Sequence, residues 1–288
     1  MTLHYIEAFR GSVNRWECDE NDHLNVRFYN RMTWECLHAA APEIGLGEAW
    51  RVSSLHMRFL AEARLATPVA GYCALVGVAG ETVTTLVELR NPMSDVVLAN
   101  FVCELHVPRC ELVEQPMLPL PPGTGARGLT AERAAPSAWN TAEAAAMGLA
   151  NIGRGAIRPE ECGADGTLSL YGYMGRMSDS MPHLWGRMQT EEELAARSDG
   201  FQGGAVLEYR MDYHDVLRTG DTFQVWSGLR HVGEKIQHFE HLMFHGGSGQ
   251  CVMSAQAIGV VLDLKTRRSV PIPEARRRRM LGLMIGAQ

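Results

Sequence analysis

The sequence predicts an α+β protein in which one plan, a helix packed on an antiparallel sheet, is used twice. Three observations carry this. A helix-period stretch runs from residue 26 to 40, strand-like runs separated by glycine turns follow it, and the second half of the chain repeats parts of the first. A single helix beside a meander of strands is the layered arrangement that buries one face of each.

The helix comes first. Val26, Tyr29, Met32, Cys36 and Ala40 recur every three or four residues, and Leu37 widens the stripe, as in an amphipathic helix of about 15 residues. The runs WRVSSLHMRFL, GYCALVGVAG, ETVTTLVELR and DVVLANFVCELHV come next. They are rich in Val, Thr and aromatic residues, or alternate, which suits half-buried strands. Residues 108–137 hold five prolines between 116 and 136 besides Pro108, so they make a poor helix or central strand and read as a linker. AVLEYRM, DTFQVWSGLRHV, KIQHFEHLMFH and CVMSAQAIGVVLDL repeat the strand pattern beyond it. This gives a first domain at 1–107, a linker at 108–137 and a second domain at 138–288 that ends in a basic tail.

Sparse matches link the halves. Leu55, Arg58, Leu65 and Thr67 match Leu207, Arg210, Leu217 and Thr219 at an offset of 152. Gly80-Glu81 matches Gly233-Glu234, and DENDHLNVR (19–27) matches DSMPHLWGR (179–187) at an offset of 160. Their shared order argues for duplication. TLSLYGYMGRMSDSMPHLWGRM reads as one helix broken near Pro182, or as a loop followed by a helix.

Composition narrows the function. With 46% hydrophobic and 21% charged residues, the 288-residue chain is able to bury a good core, and a net charge of −6 gives no sign of a nucleic-acid partner. The start MTLHYIEAFR lacks a basic segment followed by an apolar core, and no apolar run approaches the roughly 20 residues of a membrane span. The seven cysteines are scattered, odd in number and without a CxxC, which predicts reduced thiols in a cytoplasmic protein and no metal site.

The segment VNRWECDENDHLNVRFY gathers Asp19, His23, Asn25 and Tyr29 ahead of and inside the first helix. On these residues the first half resembles the 4-hydroxybenzoyl-CoA-thioesterase-like acyl-CoA thioesterases, and the whole chain resembles a double hot-dog fold. In that family a strand runs into an aspartate-bearing loop, commonly with a Gly-His-x-Asn turn, and then into a helix with an early tyrosine. Asp22 stands where the family usually has glycine. The resemblance implies hydrolysis of an acyl-CoA thioester without a cofactor. Asp19 maps onto the catalytic aspartate, as general base or nucleophile, and the amides of the helix N-terminus polarise the carbonyl.

For each residue a structural role competes. Asp19 suits a loop or cap, His23 orients water or holds the loop, and Asn25 is most simply the N-cap, though it too is counted among the catalytic candidates. Tyr29 and His183 are candidates for binding the substrate. Asp179 repeats the role of Asp19, or supplies an acid from the central helix, or is only a cap. The tail RRSVPIPEARRRRM reads as a strand, a proline-marked turn and a short helix. Its run Arg276–Arg279 is usually a solvated face, with the phosphates of coenzyme A as the sharper reading. Free sheet edges invite a homo-oligomer of the tandem unit.

Two other activities compete with hydrolysis. Hot-dog hydratases and dehydratases carry a motif like Asp-x-Asn-Pro-x-His, which Asp19–His23 approaches without the proline. A non-catalytic acyl-binding protein would keep the pocket alone. An α/β-hydrolase is excluded, because no Gly-x-Ser-x-Gly occurs.

Overall fold

The computed structural model describes residues 4–47, 49–108, 119–130, 135–198 and 202–286. The chain divides into two compact units, Met1–Arg133 and Ala134–Gln288.

In the first unit, β1 (Ile6–Ser12) leads through a 3₁₀ turn at Arg15–Glu17 and a loop to α1 (Val26–Ala40). β2 (Arg51–Phe59), β3 (Pro68–Ala79), β4 (Thr82–Asn91) and β5 (Val96–His106) follow. All pairings here are antiparallel, in the order β1-β3-β4-β5-β2. Register lines up Cys73, Val87, Phe101 and Met57 across four strands, so they share one face. All four are buried, as are Met32, Cys36, Leu37 and Ala40 of α1, which rests on β1, β3 and β4. The helix stripe read from the sequence is therefore its core face. Gly71 makes this close packing possible, because a Cβ there would lie 2.3 Å from the Cys36 sulfur.

The second unit adds α2 (Thr141–Ala146) and then repeats the plan. β6 (Ala150–Ala156), a 3₁₀ turn at Pro159–Glu161 and α3 (Leu170–Met188) come first. α4 (Glu191–Ser198), β7 (Gln202–Tyr213), β8 (Thr222–Val232), β9 (Ile236–His245) and β10 (Cys251–Asp263) follow, in the sheet order β7-β10-β9-β8-β6. β11 (Arg268–Val270) pairs with β10, and α5 (Glu274–Leu281) closes the described chain. α3 is one continuous helix, with Pro182 at an exposed position inside it.

Registers in the two units correspond residue by residue. Leu55↔Cys103 in the first matches Tyr209↔Ala257 in the second, and Ala74↔Leu86 matches Gly228↔Glu240. Before the helix, Phe9↔Gly71 matches Gly153↔Val225. The displacement is thus 144 residues ahead of the helix and 154 after it, which corrects the offsets of 160 and 152. The segment 179–187 lies inside α3 and is not the counterpart of the loop 19–27. Arg58 corresponds to Asp212, not Arg210.

The linker residues 119–130 contain no helix or strand, and Arg58 donates to the carbonyls of Gly123 and Gly125 there. Arg210 instead pairs with Asp212 at 3.2 Å, both buried. The tail also departs from a solvated face. Glu193 meets Arg276 at 3.5 Å and also pairs with Arg279, while Arg277 donates to the Gly233 carbonyl. These arginines clamp α5 onto its own unit. The six described cysteines are free thiols, and Cys110 lies outside the described residues. Among the described residues, no helix is long and apolar enough to cross a membrane.

Candidate active site

The loop ahead of α1 is built by its own polar residues. The Asp19 carboxylate accepts from the backbone N–H groups of Asn21 at 2.8 Å and His23 at 3.1 Å. The Asp19 N–H in turn donates to the His23 carbonyl at 2.7 Å. The loop turns at Asp22, whose φ of 59° is left-handed. Glycine is the usual tenant of that region, but aspartate is among the side chains that tolerate it best. Arg15 holds the Asp22 carboxylate at 3.0 Å. Aspartate therefore fills the place where the resembled family has glycine.

Burial raises the Asp19 pKa, and the two backbone donors only partly oppose this. A carboxyl so placed is a stronger base once ionised than one in water. The buried ring of His23 turns its Nε2 toward the Glu62 carboxylate at 3.4 Å, and Arg64 meets the same carboxylate at 2.9 Å. Asp19, His23 and Glu62 thus belong to one polar constellation. Glu62 is the residue that sequence reasoning missed. It follows β2 in AEARLAT, 39 positions beyond His23, and carries no motif of its own.

Asn25 is the N-cap of α1, and its side chain accepts from the Arg27 N–H at 3.0 Å. The Phe28 N–H donates to the Asn25 carbonyl. These two amides are engaged, which narrows the expected oxyanion donors of the helix terminus to the Val26 N–H. Tyr29 is buried, and its hydroxyl accepts from the Ala63 backbone, while the Ala63 carbonyl takes the Leu24 N–H. It ties α1 to the loop that follows β2.

The second unit keeps the skeleton of this loop and changes its chemistry. The bridge Cys18↔Leu24 has its match in Cys162↔Leu168. Ser169 caps α3 by accepting from Gly172, and the Tyr173 hydroxyl accepts from the Leu217 N–H at 3.1 Å. At the position of Asp19 stands Gly163, at His23 Thr167, and at Glu62 Val216. Asp165, in the place of Asn21, bonds the Thr167 N–H and hydroxyl and is held below the usual carboxylate range by them.

Asp179 accordingly does not repeat Asp19. It is exposed on α3, one turn before His183, and both line a pocket of about 390 Å³ beside β6. The three histidines of β9 also separate: His241 is fully buried, bonded to Ser227 at 2.7 Å, and held down to about 4 by burial, while His238 faces the other side. Among the described residues, no group of His, Cys, Asp and Glu is arranged to hold a metal ion.

Residues 158–280, within the second unit, match the model of the Thioesterase-like superfamily. No curated protein matches the chain. Among solved structures, an acyl-ACP thioesterase from Bacteroides thetaiotaomicron superposes with a TM-score of 0.61 at 12% identity, covering 89% of this chain and 97% of its own. A 12:0-ACP thioesterase from Umbellularia californica gives 0.61 at 10% identity, covering 88% and 93%. An acyl-CoA thioesterase II, TesB2, from Mycobacterium marinum gives 0.53 at 17%, covering 88% and 92%. At such identities the likeness establishes the fold alone: the chain is α+β, with the hot-dog fold.

Proposed function

We propose that this chain, with a thioesterase-like second unit and the hot-dog fold throughout, is a thioester hydrolase whose chemistry resides in the loop before α1. One observation carries the reading: Asp19, His23 and Glu62 are gathered at the N-terminus of a central helix. The reading is supported by the match at 158–280 and by structural neighbours whose names are those of acyl-CoA and acyl-ACP thioesterases.

In this account the substrate is an acyl-CoA thioester, with an acyl-carrier-protein thioester as the alternative that the ACP-named neighbours favour. Asp19 takes a proton from water as the oxygen attacks the thioester carbon. The carbonyl electrons move onto oxygen, where the Val26 N–H and the positive end of α1 stabilise the charge. Collapse breaks the C–S bond, and the proton on Asp19 passes to the departing sulfur. His23, held by Glu62, orients the water. Two backbone donors fix Asp19 in place, which suits a general base better than a nucleophile that must swing onto carbon. No cofactor enters the reaction.

The test is to incubate the protein with acyl-CoAs of short, medium, long and aromatic chain type and with acyl-ACPs, following free acid and free carrier by chromatography. Release of both is expected. Addition of water to an enoyl-CoA without release of carrier would instead make the chain a hydratase, and tight binding without turnover would make it an acyl-binding protein.

A further inference from the structure

Among the described residues, all but one of the large apolar side chains that the first unit exposes stand at one end of it. They are Trp16, Leu60, Leu65, Met93 and Val96, with Leu120 in the linker as the exception. Trp16 is 75% exposed and Met93 85%. The register gathers the five. β1 ends at Ser12 opposite Pro68, where β3 begins, and β2 ends at Phe59 opposite Ala99. Trp16 lies in the turn after β1, Leu60 and Leu65 in the connection from β2 to β3, and Met93 and Val96 at the hairpin that joins β4 to β5. The Asp19 loop belongs to the same end, because the Leu24 N–H donates to the Ala63 carbonyl of that connection.

The second unit has no such rim. Displaced by 144 residues before the helix and 154 after it, the same five places hold Glu160, His214, Thr219, Gly247 and Gln250. The same turns are closed there by polar residues and a glycine. Apolar side chains scattered singly over a surface are ordinary, whereas a group of five at one end marks a place that meets a partner.

The charges of this end say which partner. Arg15, next to Trp16, meets Asp22 at 3.0 Å, and Arg64, next to Leu65, meets Glu62 at 2.9 Å. Arg90, at the foot of the β4–β5 hairpin, meets Glu88 at 2.7 Å and Asp95 at 3.1 Å. The loop itself adds the acids Asp19 and Glu20. An acidic protein or an anionic bilayer is drawn by surplus positive charge, and these pairs leave none. A lipid surface without net charge asks for none. It takes up apolar side chains, and tryptophan suits its head-group layer because the ring is apolar and the indole N–H is not.

We propose that this end of the first unit docks on a lipid surface of zwitterionic head groups, with Trp16, Leu65 and Met93 set among them. The docking stands apart from the hydrolase reading, and its test contains no thioester.

Sedimentation of the full chain with sucrose-loaded phosphatidylcholine vesicles tests it. Half of the protein is expected on the vesicles at about 1 mM lipid, with little change on adding salt, since charge attraction plays no part. The double variant Trp16→Ser, Met93→Ser should lower the partition coefficient by about tenfold or more, because it removes two side chains that the lipid would bury. Both side chains are exposed, so the variant should keep the wild-type melting temperature. Leu281→Ser, at an exposed position on α5 of the second unit, should leave the binding unchanged. No binding at up to about 10 mM lipid, or equal binding by the wild type and the double variant, would overturn the proposal. Binding confined to phosphatidylglycerol vesicles and lost in high salt would overturn it in favour of an electrostatic contact. So would association with an acidic acyl carrier protein that the double variant loses, in a chain that ignores phosphatidylcholine; the rim would then be a protein interface.

Discussion

The loops 18–25 and 162–169 share a backbone and differ in what they are able to do with a proton. Both close with a bridge between a cysteine and a leucine, both hand over to a helix through a polar N-cap, and both lie beside a tyrosine pinned to the loop that follows a strand. Both also follow a 3₁₀ turn whose buried glutamate bonds a backbone N–H and an arginine: Glu17 with Asn14 and Arg31, Glu161 with Arg158 and Arg176. The groups that build the turn appear twice, whereas Asp19, His23 and Glu62 appear once. The second unit folds the same turn without those three residues, and their joint presence in one unit supports the chemistry proposed for the first loop.

After the loss of Asp19 itself, the largest expected contrast between the units lies under their helices. His241 occupies the register position of Val87, and burial holds it down to about 4. Its folded pKa is below the ordinary histidine value of 6.5, so its stability contribution is fully present above that value and is lost as pH falls toward 4. Denaturant unfolding at pH 7 and pH 4 should show the second unit weakened by about 3 kcal/mol from this group. His241→Val should flatten that dependence; if the slope stays, another group is responsible.

Glu62→Gln should lower kcat/KM by about 10- to 100-fold with little change in melting temperature, since it removes the anion facing His23. An unchanged rate would reduce Glu62 to a surface partner of Arg64. Tyr29→Phe and Tyr173→Phe each leave a buried N–H without its acceptor and should each cost about 1–2 kcal/mol. Similar losses would mark a shared scaffold device, and a loss confined to one unit would break the equivalence. The smallest effect is expected at the caps, where Asn25→Ala and Ser169→Ala should each cost about 1 kcal/mol in thermal or chemical melts.

Much of the fold was legible in the sequence. The stripe from Val26 to Ala40 gave the first helix with its bounds, and Asn25 read as its cap. Alternation and glycine turns marked the strands. The duplication was visible but misaligned. Alternation has a period of two, so a two-residue slip between β2 and β7 keeps every side chain on its face and still produces matches such as Arg58 with Arg210. The longer slip, from Asp19 to Asp179, arose because α3 carries Asp, His, Leu and Arg at the spacing of the first loop. Only pairing registers reveal that ten residues were gained between loop and strand. The contact between His23 and Glu62 was not legible, because it joins two loops through the path of α1 and β2. The arginine run was misread for the same reason: its partners, Glu193 and the Gly233 carbonyl, are far away in sequence.

The central claim is that thioester hydrolysis belongs to the first loop and not to its copy. The most direct measurement is kcat/KM on the best thioester substrate for Asp19→Asn beside Asp165→Asn, with melting temperatures of both. The account predicts a loss of about 100- to 1,000-fold for Asp19→Asn in a protein that remains folded, and a change of no more than about twofold for Asp165→Asn. An Asp19→Asn variant that keeps most of the wild-type rate, or an equal loss in the two variants, would contradict it.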